Sequence, residues 1–195
     1  RIFPQFMTTS VIIPTKNEVI GVKEILTKID RAWAEEWFLI DGNSTDGTIQ
    51  EAENLGFEVI QQTGKGLSNA YREGVNHASG ENILFFSPDG NAEPNDIPKL
   101  IKKMSDENCD IVQISRFGKK GVSEDDTIIT AFGNRMFTFL VNVFFGGKLT
   151  DSLFGFKIIK KDVFINLNLD GEFLTLEQQM SIKSCKYNLK IAEID

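Results

Sequence analysis

Two cysteines, Cys109 and Cys185, and one histidine, His77, are too few for a Cys/His metal cluster or a disulfide scaffold. A structural zinc or iron–sulfur centre of that type is thereby excluded. No G-x-G-x-x-G dinucleotide fingerprint occurs, and Gly64-Lys65-Gly66 lacks the upstream glycine and the Ser/Thr after the lysine that a Walker loop needs. Long apolar runs are missing too: the densest, residues 136–147, holds about a dozen mostly apolar residues against the ~20 needed to cross a bilayer. No basic stretch leads into an apolar core and a small-residue cleavage site, so an intracellular domain is expected. Basic residues are outnumbered 21 to 28, and the net charge of −7 speaks against broad binding to a nucleic-acid backbone.

What is present is 195 residues, 41% of them hydrophobic, which suffices for one globular core and falls short of two full domains. Residues 1–195 are therefore expected to form a single domain. Through the first 115 residues, β-branched and aromatic runs alternate with helix-period segments, the pattern of an α/β fold with a mostly parallel sheet. Strands are predicted at residues 10–13, 37–40, 57–60, 83–86 and 111–114, with a short last strand at 190–194. Val22, Ile25, Leu26 and Ile29 fall at i, i+3, i+4 and i+7, as do Ile97, Leu100, Ile101 and Met104, so each set predicts one buried helix face. A third helix is expected over residues 66–78, stopped by Gly80, and a last one over 176–186. His77 falls in the last turn of the third, where the helix dipole favours it, and is read as structural.

Sixteen phenylalanines against two tyrosines is unusual, and six of them fall between Phe132 and Phe154. An apolar helix beside a sheet is ordinarily buried, so the segment over residues 126–145 is expected in the core. The same region holds the chain's cationic excess, with eight basic residues against four acidic ones over residues 115–161. Lys119, Lys120 and Arg135 belong to it. Such a segment can face phosphates or an anionic membrane.

In an open parallel sheet, ligands bind outside the carboxyl ends of the strands. Those positions are occupied here by Pro14 to Glu18, by Asp41 to Thr48, by Gly64-Lys65-Gly66, by Ser87 to Asn91, and by Ser115-Arg116. Each alone has an ordinary explanation as a cap or turn, but all five strand ends carry polar or small residues at once.

The runs Val11-Ile12-Ile13-Pro14-Thr15-Lys16-Asn17-Glu18, Leu39-Ile40-Asp41-Gly42-Asn43-Ser44-Thr45-Asp46-Gly47-Thr48, Gly64-Lys65-Gly66 and Ser87-Pro88-Asp89-Gly90 resemble, in order and spacing, the GT-A glycosyltransferases of family 2. Ser115-Arg116-Phe117, Gly133-Asn134-Arg135, Thr150-Asp151 and Gly155-Phe156-Lys157 are similar to its polyprenyl-phosphate sugar transferase branch. The resemblance implies a Rossmann-like three-layer sandwich in which Pro14, Glu18, Asp41, Lys65 and Gly66 surround a nucleotide-sugar donor. It implies that Asp89, with Asn91, holds Mg2+ or Mn2+ on the donor diphosphate. The family's Asp-x-Asp here reads Ser87-Pro88-Asp89, leaving one carboxylate, which still suits an ion that keeps several waters. Lys16 stands where an aromatic residue is common, Gly42 replaces a frequent second acid, and Leu153-Phe154 replace a polar pair. A glutamate common in the family falls near Gln179 or Glu177.

The reaction this implies is inverting transfer of a sugar from a UDP- or GDP-sugar to a polyprenyl phosphate, at the cytoplasmic face of a membrane. Arg116 and the metal would neutralise the leaving diphosphate. A phosphate acceptor is already an anion at neutral pH and needs no base, whereas a saccharide hydroxyl does, with Asp151 as the expected one. A second reading, raised by Ser87, is a nucleotide-sugar-binding module without catalysis. Residues 116–161 are expected to meet the acceptor beside the membrane surface.

Overall fold

The computed structural model describes residues 7–117, 128–173 and 175–194. Its strands are β1 Thr9–Thr15, β2 Glu36–Asp41, β3 Glu58–Gln61, β4 Asn82–Phe85, β5 Ile111–Ile114, β6 Lys157–Lys160 and β7 Ile191–Ile194. Its helices are α1 Val19–Ile25, α2 Thr48–Asn54, α3 Leu67–His77, α4 Ile97–Glu107, α5 Ile128–Phe145, α6 Lys161–Asn166 and α7 Thr175–Lys186. The strands form one sheet in the order β3-β2-β1-β4-β6-β5-β7, parallel except where β6 runs antiparallel to β4 and β5.

Side chains alternate across the pleat, so β1 sends Val11 and Ile13 to one face and Ile12 to the other. The first face is covered by α1, α2 and α4 through Val22, Ala52, Leu100 and Met104. The second is covered by α3, α6 and α7 through Tyr71, Val75, Phe164 and Met180. This is the three-layer α/β sandwich expected from the alternation. A Cβ on Gly74 would lie 2.6 Å from Ile12 Cγ2, so the absence of a side chain lets α3 ride directly on β1.

The predicted strands recur with shifts of one or two residues at their ends, but three expectations need correction. The helix predicted through Ile29 ends at Ile25 and tightens into a 3-10 turn, Leu26–Lys28. β6 is a strand that the pattern does not predict, because two isoleucines between lysines carry no strand-like alternation. It enters the sheet at its carboxyl edge, where Lys157 pairs with Phe85.

The phenylalanines of α5 are the third correction. Among its residues from 131 onward, a narrow stripe turns inward: Phe137 and Val141 pack against Ile182 and Cys185 of α7, and buried Thr138 bonds Ser152. Phe132, Met136, Phe139, Val143 and Phe144 remain exposed, with Phe144 at 73%. Among the described residues, no helix is long and apolar enough to cross a membrane. Lys119, Lys120 and the acidic residues Glu124 to Asp126 lie outside the described residues.

Candidate active site

Because β1, β2, β3 and β4 are parallel, with Pro14 beside Ile40 and Ile12 beside Phe85, their carboxyl ends open on one edge. The first two loops there are stitched together. Asn17 and Asn43 adopt left-handed backbone, the Asn17 N–H donates to Ser44 Oγ (2.8 Å), and Thr45 N–H donates to Asn17 Oδ1 (2.9 Å). Asp41 is 0% exposed and accepts from Thr15 Oγ1 (3.0 Å), Ser44 N–H (2.7 Å) and Ser44 Oγ (2.6 Å). Its carboxylate thus shapes the loop from behind the cavity wall instead of facing the cavity. His77, at the end of α3, contacts Glu58 and the ring of Phe38, as a structural residue does.

Two adjoining cavities open at this edge. The larger, about 570 Å³, is walled by Pro14, Lys16, Gln62, Lys65, Gly66 and Phe173. Gln62 spends its amide hydrogens on Gly66 O and Asn69 Oδ1, both at 2.8 Å. The smaller, about 320 Å³, is walled by Ser87, Asp89, Asn91, Arg116, Phe154 and Glu177, and Leu67 at the start of α3 borders both. Pro14, Lys65 and Gly66 therefore meet in one cavity, and Asp89, Asn91 and Arg116 in its neighbour.

Glu18, expected around the donor, is on the wall of neither cavity, and its Oε2 lies beside Gly21 and the Pro88 carbonyl. A Cβ on Gly21 would overlap the Pro88 carbonyl, so only glycine lets α1 come this close to the Ser87–Asn91 turn. Burial, and then the charges of Asp89 and Asp46, push the Glu18 carboxyl above the usual range. Asp89 Oδ1 accepts the Asn91 N–H at 2.9 Å.

Asp151 is also 0% exposed. Arg116 meets it with Nε to Oδ2 at 2.8 Å and Nη2 to Oδ1 at 3.3 Å, and Leu153 N–H adds a bond to Oδ1. Asp151 therefore backs Arg116 and does not line the cavity.

Glu177 is the residue that motif spacing left unplaced. It reaches the smaller cavity from α7, accepts from Tyr71 Oη at 2.9 Å, and occupies space that a Cβ on Gly155 would claim. Burial raises its pKa, against the pull of Lys157 and Tyr71. Lys157, buried in β6, is in turn held below the usual lysine range by desolvation, with Glu177 the chief opposing charge. Gln179 points elsewhere, accepting the Asp170 and Gly171 N–H groups.

Among the described residues, no group of three His, Cys, Asp or Glu side chains is arranged to hold a metal alone. The oxygen donors of Asp89, Asn91 and Ser87 on one cavity wall nonetheless fit Mg2+ or Mn2+, which take one or two carboxylates and complete their shell with water and phosphate oxygens.

Residues 10–167 match the family model described as glycosyl transferase family 2. Glycosyltransferase AglJ of Haloferax volcanii is 27% identical over 183 residues, 92% of this chain and 59% of the relative. The low-salt glycan biosynthesis hexosyltransferase Agl6 of the same organism is 24% identical over 191 residues, 95% of this chain and 46% of the relative. A dolichol-phosphate mannosyltransferase of Pyrococcus furiosus is 36% identical over 127 residues, 61% of this chain and 36% of the relative. The chain thus spans from about a third to three fifths of the length of these relatives, which are consistent with the branch its motifs resemble. Glucosyl-3-phosphoglycerate synthase of Mycobacterium tuberculosis, solved with Mn2+, UDP-glucose and glycerol 3-phosphate, superposes with a TM-score of 0.77 at 18% identity over 96% of this chain and 69% of the other. That likeness establishes the fold, which is GT-A.

Proposed function

The chain belongs to glycosyl transferase family 2, and on that premise we propose that it moves a sugar, with inversion, from a UDP- or GDP-sugar to a polyprenyl phosphate. The larger cavity takes the nucleotide. Lys65 and Gly66 border the nucleotide there, and Leu67, at the N-terminal end of α3 where both cavities meet, offers a backbone N–H to the diphosphate. The sugar then lies near Leu67, where the two cavities meet. Mg2+ or Mn2+, held by Asp89 and Asn91, would supply charge neutralisation on the departing diphosphate. Arg116, oriented by Asp151, stabilises negative charge in the smaller cavity, and Glu18 acts on Asp89 from outside both cavities.

One observation carries the acceptor reading. The guanidinium groups of Arg116 and Arg135 both lie over the Phe117 ring, at 5.3 and 5.2 Å. Arg135 belongs to α5, whose outer face exposes Phe132, Met136, Phe139 and Phe144, so a cationic pair adjoins an apolar strip. A lipid bearing a phosphate has that combination of chemistries, and an acceptor phosphate needs no general base. The relative named for dolichol phosphate supports the same reading. The enzyme would then work at the cytoplasmic face of a membrane.

A saccharide acceptor is favoured by one other feature, the Glu177 carboxyl in the smaller cavity, which could take a hydroxyl proton where the buried Asp151 could not. Radiolabelled UDP- and GDP-sugars, offered with Mn2+ to polyprenyl phosphate in detergent and to soluble saccharides, decide between them. Label in the lipid fraction is expected. Transfer only to saccharide hydroxyls would overturn the lipid assignment, and binding without transfer to any acceptor would identify a non-catalytic module.

A further inference from the structure

We propose that Phe173 is the stacking face for the donor nucleobase, an assignment that rests on reading the larger cavity as the nucleotide site. Six non-glycine residues among those described have positive φ, and five are asparagines, the residue type that tolerates this conformation best. Phe173 is the sixth, at φ +53°. A bulky ring on left-handed backbone persists only where its surroundings impose it, and such positions cluster at ligand clamps.

The surroundings do impose it. The carbonyl of Phe173 accepts both the Ser68 N–H (2.7 Å) and the Ser68 hydroxyl (2.6 Å) at the start of α3. Just before it, Arg72 Nη1 holds the Gly171 carbonyl at 2.8 Å, and Gln179 Oε1 accepts the Asp170 and Gly171 N–H groups. The backbone is thus fixed from two helices, yet the residue remains 62% exposed. Nothing in that anchoring needs a ring.

Phe173 is part of the wall of the larger cavity, and its ring edge lies against Gly66: Cδ1 would be 3.1 Å from a Cβ there, so only glycine leaves room beside it. Elsewhere on the wall are Pro14 and the methylenes of Lys16, which lie over Gly42. A flat apolar surface thus stands on the part of the site away from Asp89, Asn91 and Arg116, where the charged diphosphate and sugar belong. A nucleobase presents the matching planar face, and aromatic stacking accepts any base.

The test is calorimetric titration of the chain with UDP, GDP and inorganic pyrophosphate, each with Mn2+, for wild type, Phe173→Ala, Phe173→Trp and Phe173→Asn. Ala and Asn should weaken the preferred nucleotide about tenfold, in the range that base stacking supplies, while pyrophosphate binding stays unchanged. Trp should restore nucleotide affinity. Asn suits the backbone, so Phe173→Asn should melt no lower than wild type, separating loss of the ring from loss of fold. In turnover, the donor KM should rise with kcat kept. Nucleotide affinities equal to wild type in Ala and Asn, or equal weakening of pyrophosphate, would overturn the stacking role while leaving the nucleotide site intact. If the wild-type chain bound neither nucleotide, the donor reading itself would fall and this assignment with it.

Discussion

Arg116 and Asp151 form a two-point ion pair in which the carboxylate is fully buried and the guanidinium side chain remains 21% exposed toward the smaller cavity. The pair aims a cation at the site and spends its acid on the aiming. Asp151→Asn should therefore destabilise the fold by about 2 kcal/mol, since a partly buried guanidinium loses its counter-charge but keeps some water. It should raise the acceptor KM more than it lowers kcat. A kinetic pH profile that loses its acidic limb in Asp151→Asn would instead identify Asp151 as the general base.

Asp89→Ala should abolish Mn2+-dependent donor binding, because it removes the carboxylate on the cavity wall that holds Asn91 N–H. Ser87→Asp should keep or tighten that binding by restoring a second carboxylate. Titrating Mn2+ against each variant in the presence of UDP or GDP measures this, and unchanged Mn2+ dependence in Asp89→Ala would place the ion elsewhere.

Gly155→Ala should impair turnover strongly. Its Cβ would claim the position of Glu177 Oε1 and come within 3.0 Å of Tyr71 Oη, so the Glu177 carboxyl must leave its place. Overpacking of this kind costs about 1–3 kcal/mol, which thermal melts should register alongside the lost activity. Full activity in Gly155→Ala would show that the placement of Glu177 does not matter.

Glu18, beside the Ser87–Asn91 turn, gives stability a pH dependence. Its pKa is raised by burial and by Asp89 and Asp46, so the folded state holds the proton more tightly than the unfolded chain does. Stability from this group is present at low pH and is lost as pH rises through the raised folded pKa. Glu18→Gln should therefore melt higher than wild type at pH 7, with the difference shrinking toward pH 4. Mn2+ bound at Asp89 should narrow the same difference by offsetting the repulsion.

Flotation with vesicles tests the outer face of α5. The chain should float with anionic vesicles, less so at high salt, and Phe139→Asp with Phe144→Asp should keep it in the soluble fraction without lowering the melting temperature, since both side chains are exposed. Equal flotation by the double variant would remove α5 from the membrane contact.

Short runs of β-branched, aromatic and leucine side chains made β1, β2, β4 and β5 legible in the sequence, and a parallel sheet by its geometry gathers their carboxyl ends at one edge. That was enough to bring Asp89 and Arg116 to one cavity and Lys65 to the next. Which carboxyl reaches the cavity was not legible. Glu177 and Gln179 are two residues apart, about 200° around a helix, and only the packing of α7 turns Glu177 inward. Asp151 has its partner 35 residues away and Glu177 has Tyr71 106 residues away, so neither hydrogen bond leaves a local pattern. The same holds for α5: hydrophobicity has no direction, and a helix apolar on nearly every side reads as buried until the one stripe that finds a neighbour is known. Local chemistry determined the strands and the residue types at their ends; the tertiary structure decided which of those residues face a cavity, because burial and pairing across the chain depend on contacts that no short window contains.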